Sequence, residues 1–248
     1  MKALWNTIIF NPLLNLLVFF VSIMPWHSLA LSVILLTLLV RAALIPLANR
    51  ATHAQIAMKK IQPKLDQIKK DTPDQTEQGK KIMEVYKEEG IHPLSGCIFI
   101  LIQFPIIIAL YYVFARDLAS VAGSLYPFIH MPEHISTTLF GIDLTHSKAI
   151  ILAVLAGLSQ LVQLKLSPNF TTSKTSPVVS VEPKGFQQTF AESFQKQTVF
   201  MLPLMIAFFG YFMPGAVALY WIVNNIVSVV QERLAMKSYE KKYGKLQS

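Results

Sequence analysis

The stretch ILLTLLVRAALIPL, residues 34–47, places a single arginine, Arg41, inside an otherwise apolar run. Its surroundings decide what such a run is. The chain has 248 residues, of which 53% are hydrophobic and only 15% charged, with a mean hydropathy of +0.46. A soluble domain carries nearer a quarter charged residues. Several further runs approach the roughly 20 apolar residues that cross a bilayer. The composition predicts an all-α polytopic membrane protein.

Working outward, five apolar spans are expected. Transmembrane segment 1 covers 27–47, segment 2 covers 93–116, segment 3 covers 149–166, segment 4 covers 198–213 and segment 5 covers 214–232. Pro214 and Gly215 make a tight break between the last two. Residues 1–26 form an N-terminal element in which Asn11, Pro12 and Asn15 interrupt the apolar run. It reads as a helix lying in the outer interface, with a sixth span as the alternative. No small-residue cleavage site follows Lys2, so a signal peptide is not expected.

The basic residues set the orientation. Segment 48–92 carries one arginine and eight lysines, from Arg50 to Lys87, whereas 117–148 has none before Lys148. Basic residues return in the 167–197 linker and the 233–248 tail. The positive-inside bias makes 48–92, the linker and the tail cytoplasmic and 117–148 extracytoplasmic. The formal charge of +8 therefore reflects membrane orientation and contact with anionic lipid or ribosomal RNA, and no DNA partner is expected.

Segment 48–92 reads as a helical hairpin. Ile56, Ile61, Leu65 and Ile68 recur at helical spacing, DTPDQ (71–75) supplies a turn, and Ile82, Val85 and Tyr86 lead to a C-cap at Gly90. Pro63 is expected to bend or interrupt the first arm. The linker, rich in Ser, Thr and Pro, reads as flexible.

With segment 1 helical from His27, Arg41 lies about 21 Å from its outer end and about 9 Å from its inner end. A central arginine costs roughly 2.5–3.5 kcal/mol on insertion scales, so this one either snorkels to the inner headgroups or needs water or polar partners. Thr37 is one turn back on the same face. Other segments offer Gln103, Ser159, Gln160, Gln163, Asn224 and Asn225, and no Asp or Glu lies in the apolar stretches 27–47, 94–114, 149–166, 198–213 or 216–230. A cation without an intramembrane anion is expected to sit in a wet cavity, ready for an anion that arrives from elsewhere. Gln160 and Gln163 fit interhelical bonds or a cavity lining equally well. Tyr220 and Trp221 fit packing or a lining role.

Enzyme chemistry finds no support. HExxH, GxSxG and phosphate-binding glycine loops are absent, and the spans hold no nucleophile paired with a base. Pro132 disfavours a helix between His130 and His134, and Cys97 is the one cysteine. No metal and no cofactor are expected.

Four stretches carry a resemblance: LTLLVRAALIPL, MKKIQPKLDQIKK with EVYKEEGIHPL, PLSGCIFILIQFPIIIALYYVF, and MPGAVALYWIVNNIVSVVQ. In this order and spacing the chain resembles the YidC/Oxa/Alb family of membrane protein insertases, from about Asn11 to Gln231. It departs at His92, where the family often has asparagine, and in its long linker; it also lacks the large outer domain of longer members. The resemblance implies a five-helix core enclosing a hydrophilic groove, a cytoplasmic hairpin and an outer interfacial helix, in a bacterial inner membrane. It makes Arg41 the positive centre of a substrate groove that includes Thr37, Gln103, Gln160, Gln163, Tyr220, Trp221 and Asn224. Ile107, Phe208 and Phe209 would form a hydrophobic exit surface. The implied partners are nascent membrane proteins, membrane lipid, the ribosome and a Sec translocon. A small-anion transporter using Arg41 is the rival from another class, and a scaffold with a snorkelling Arg41 is a second.

Overall fold

The computed structural model describes residues 2–90, 95–115, 123–167 and 200–243. His92, the side chain of Cys97, most of the linker and the last residues of the tail lie outside them. The described chain is almost entirely helical. A short helix α1 (Lys2–Trp5) runs through a π-helical turn, Asn6–Phe10, into α2 (Asn11–Ile23). Pro12 stands at the start of α2, directly after the π-helical turn, which takes up the helical bond its missing N–H leaves out. The expected interruption of this run is therefore a local widening of the helix.

Helix α3 spans Leu29–Asp71, 43 residues, with Ser28 capping its start by accepting from Leu31 N–H at 3.4 Å. Its length is about 64 Å, twice the hydrocarbon thickness of a bilayer. The sequence puts a boundary at residue 47 and a bend or an interruption at Pro63; one helix runs through Pro46 and Pro63 without interruption. The boundary is one of polarity, not of backbone. Beyond residue 47, buried Ala48, Ala51, Thr52 and Ile56 continue a packed face, which holds the helix together past each lost donor.

The hairpin closes with α4 (Gln75–Glu88), capped by Asp74, whose carboxylate accepts from Thr76 N–H at 2.9 Å. Gly90 follows with φ +64, the left-handed geometry that a helix C-terminus reserves for glycine. Ile61, Leu65, Ile82 and Tyr86 form the small buried cluster between the two arms.

The remaining elements are α5 (Ser95–Ala115), a two-stranded hairpin of β1 (Thr138–Leu139) and β2 (Ile142–Asp143), α6 (Ile150–Leu166), α7 (Phe200–Phe212) and α8 (Gly215–Tyr243). Phe140 and Gly141 take positive φ between the strands, as a tight hairpin turn demands. Gly215 starts α8 where an added Cβ would lie 3.3 Å from Asp143 O and Leu144 Cα, so a larger residue would push the loop away.

By length and composition, Asn6–Ile23 and Leu29–Ile68 suffice to cross a membrane; Gln103–Phe114, Ile150–Leu166 and Phe200–Phe212 are apolar but shorter. Several apolar helices agree with a polytopic membrane protein, although two, not five, meet the full span criterion among the described residues.

One apolar core joins these helices at a single end of the bundle. It gathers Leu14, Leu17 and Val21 of α2, Leu29, Val33 and Leu36 of α3, Leu110 and Val113 of α5, Leu152 of α6, Ile206 of α7 and Ala216–Leu219 of α8, with Leu144 from the loop. Helices α3 and α8 run side by side in the same direction. Arg41 meets Asn224, His53 meets Ala235, and Lys60 covers the ring of Tyr239.

Candidate functional site

Past the apolar core, the face between α3, α5, α6 and α8 turns polar, and Arg41 is its centre. Arg41 Nε donates to Asn224 Oδ1 at 2.6 Å and a terminal nitrogen donates to Ser228 Oγ at 2.5 Å. Asn224 and Ser228 are one turn apart on α8 and so share a face. Ser228 donates in turn to the Asn224 carbonyl at 2.6 Å, which fixes its lone pairs toward the guanidinium. The arginine retains only 5% exposure. Sequence reasoning expects water or polar partners around the guanidinium, and two side-chain acceptors of α8 are polar partners of that kind. Charge-assisted hydrogen bonds of this kind are worth about 1.5–3 kcal/mol each, enough to offset much of the cost of a buried cation.

A second chain of polar groups crosses from α8 to α6. Trp221 Nε1 donates to Gln160 Oε1 at 3.0 Å, Gln160 Nε2 to Gln163 Oε1 at 3.1 Å, and Gln163 Nε2 to Glu232 Oε1 at 2.9 Å. Beside it, Asn225 donates to Ser159 Oγ at 3.0 Å. The glutamines thus join helices, and Trp221 spends its indole N–H on one of them. Tyr220 is buried and its hydroxyl accepts from Gln103 of α5. Thr37 is also buried, but its hydroxyl donates back to Val33 O at 2.6 Å, within its own helix.

Glu232 extends this polar face of α8 past the stretch 216–230 that the sequence marks as apolar. It stands one turn beyond Ser228 on the same face of α8, accepts from Gln163, and is also bonded by the Ser167 hydroxyl. Stepping by four from Asn224 gives 228 and 232, so helical spacing alone would have found both residues. They were missed because a charge at the margin of a span looks like the start of the tail.

The expected exit surface divides. Phe208 and Phe209 are exposed on α7, their rings 5.7 Å apart, and Phe212 lies 5.0 Å from Phe208. Ile107 is instead partly buried against the core. The outward face of α5 is carried by Phe104, Ile108 and Tyr111, at the spacing of successive turns.

Comparisons with known proteins show the family. The chain is 32% identical over 236 residues to proteins called membrane protein insertase YidC in Francisella tularensis subsp. novicida (strain U112), subsp. holarctica (strain LVS) and subsp. tularensis (strain SCHU S4 / Schu 4). Each match takes in 91% of this chain but 37% of the relative, so the chain spans little more than a third of their length. The sequence model of the family described as 60Kd inner membrane protein matches residues 19–242, a range that includes Arg41 and every polar partner described above. The chain belongs to the 60Kd inner membrane protein family.

Proposed function

We propose that this chain is a membrane protein insertase and chaperone of the bacterial inner membrane. The carrying observation is Arg41 among neutral polar side chains of α8, beside an apolar core that fills one end of the bundle. The names of its relatives point the same way. On this reading α3, α5, α6, α7 and α8 are the five spans of a groove, α1 and α2 lie in the outer interface, and the α3–α4 hairpin and the end of α8 are cytoplasmic. The groove has Arg41, Thr37, Gln103, Gln160, Gln163, Tyr220, Trp221 and Asn224 along it.

The chemistry needs neither nucleotide nor cofactor. A hydrophobic segment with a short polar flank approaches from the cytoplasm, and an acidic group on the flank takes over Arg41 from Asn224 and Ser228. Two unit charges 4 Å apart attract by about 4 kcal/mol at an effective dielectric near 20. The polar side chains of α5, α6 and α8 shorten the apolar path that the flank must cross. Burial of the segment in lipid, at about 25 cal/mol per Å² of apolar surface, then drives its departure. The exposed aromatic faces of α5 and α7 line that path. Nascent membrane proteins are the substrates, lipid is the acceptor, and the ribosome and a Sec translocon are the partners expected at the basic cytoplasmic surface.

Substitution tests this reading. In reconstituted vesicles Arg41→Ala should lower insertion of substrates with an acidic flank about tenfold or more, while Arg41→Lys should retain most of it, because the charge is kept. Normal insertion of such substrates by Arg41→Ala would remove the attraction step.

A further inference from the structure

The network around Arg41 includes an anion of its own. Glu232 is half-buried on α8, one turn past Ser228 and two past Asn224, the residues to which Arg41 donates. A spacing of four residues advances about 6 Å along a helix and stays on one face. Gln163 from α6 holds Glu232 Oε1 at 2.9 Å, which turns the carboxylate inward between helices. Its other oxygen, Oε2, is buried with no hydrogen-bond partner among the described residues. A buried carboxylate oxygen left this way is costly, and the Arg41 guanidinium, held on Ser228 one turn back along the same helix face, is a cation placed to lower that cost.

We propose that Glu232 is the resident counter-anion of the Arg41 site, the charge whose influence an acidic substrate flank must overcome, so that it sets how acidic a flank must be for uptake. This rests on the insertase reading and deepens it. With Glu232 ionised, Arg41 is already partly compensated, and a weakly acidic flank gains little by replacing Asn224 and Ser228. A strongly acidic flank gains enough. Glu232 therefore acts as a positioning and specificity-determining residue through Arg41, without meeting the hydrophobic segment. The Gln163–Gln160–Trp221 chain ties its carboxylate to the α6 face of the seam.

The experiment compares Glu232→Gln, Glu232→Asp, Arg41→Ala and the double variant Arg41→Ala/Glu232→Gln in the full chain, reconstituted in vesicles. Each is given three versions of one hydrophobic substrate, whose flank carries no, one or three acidic residues. Glutamine keeps one acceptor oxygen for Gln163 and nearly the same side-chain volume while removing the charge. Glu232→Gln should raise insertion of the singly acidic substrate about fivefold or more and leave the uncharged one unchanged. The gain should shrink for the triply acidic substrate and vanish in the double variant, and Glu232→Asp should behave as the parent. An equal response of all three substrates to Glu232→Gln, including a uniform loss, would overturn the proposal, as would a gain that survives Arg41→Ala. If Arg41→Ala alone inserts the acidic substrates normally, it is the insertase attraction step that fails; if Arg41→Ala impairs them while Glu232→Gln changes nothing, only the counter-anion assignment fails.

Discussion

At the scale of single residues, Arg41 shows how a permanent cation is kept inside an apolar bundle. Its Nε and one terminal nitrogen are taken by two side chains of one helix face, so the cost of burial is shared between α3 and α8. Removing one acceptor leaves a buried charged donor unsatisfied, a loss of about 1.5–3 kcal/mol. Asn224→Ala should therefore lower the thermal unfolding temperature of the purified protein in detergent. Combined with Arg41→Leu, it should cost much less than alone, because the donor is then gone; an equal loss in both backgrounds would mean that Asn224 contributes by packing and not by its bond to the guanidinium. Arg41 itself was legible in the sequence because a lone charge in an apolar run has no ordinary explanation. Gln160, Gln163, Trp221 and Asn224 were legible only as polar residues with an apolar background. Which of them bond to each other depends on helix rotation, and a periodicity of 3.6 does not fix rotation between helices. Ser228 and Glu232 were hidden by their position, where polar residues at the end of a span attract no notice.

At the scale of elements, contact between helices inside lipid gains little from the hydrophobic effect, since acyl chains are as apolar as leucine; close approach and dispersion have to hold the pairs. The α6–α7 contact is a case. A Cβ added at Gly157 would lie 2.8 Å from Pro203 O and 2.9 Å from Ala207 Cβ, whereas one added at Gly210 would lie 3.5 Å from Ala153 Cα, an ordinary contact. Gly157→Ala should accordingly destabilise the protein by about 1–3 kcal/mol through overpacking, and Gly210→Ala should change stability by less than about 0.5 kcal/mol. Thermal unfolding of the two variants side by side checks this, and a larger loss at Gly210 would show that α7 is not seated against α6 in this way. Neither glycine stood out in the sequence, because a glycine in an apolar span is common and its neighbour across the interface is set only by the fold. The continuity of α3 was hidden for a related reason. Pro46 and Pro63 carry real local signals for a break, but the buried face from Ala48 to Ile56 and the cluster of Ile61 and Leu65 outweigh them. The turn at residues 72–74, by contrast, was fully legible, since Pro73 and the capping Asp74 act within the segment itself.

At the scale of the whole molecule, polarity runs along the bundle in one direction. The apolar core occupies the end where α3 and α8 begin, the Arg41 seam follows, and beyond it the two helices stay joined by His53, whose ring nitrogen donates to Ala235 O at 3.3 Å, and by its edge-on contact with Tyr239. Val33 lies eight residues before Arg41, about 12 Å along α3, and Val217 lies seven before Asn224, about 10 Å along α8; both are among the most buried side chains of the core. The proposed insertase would admit water at one mouth and refuse it at the other, whereas a transporter must open to both sides. Single cysteines at Val33, Val217, Gln163 and Ser228, each in a Cys97→Ser background, distinguish the two in sealed vesicles of known orientation. A membrane-impermeant maleimide applied to the cytoplasmic face should modify Gln163→Cys and, more slowly, Ser228→Cys, because position 228 is the more deeply buried of the two. Neither Val33→Cys nor Val217→Cys should react from either face, since reaching them would require parting the core residues of α2, α3, α5 and α8 together. Modification of Val33→Cys or Val217→Cys from the outer face would establish an outward opening through that core, and the proposed one-mouthed path would have to be given up.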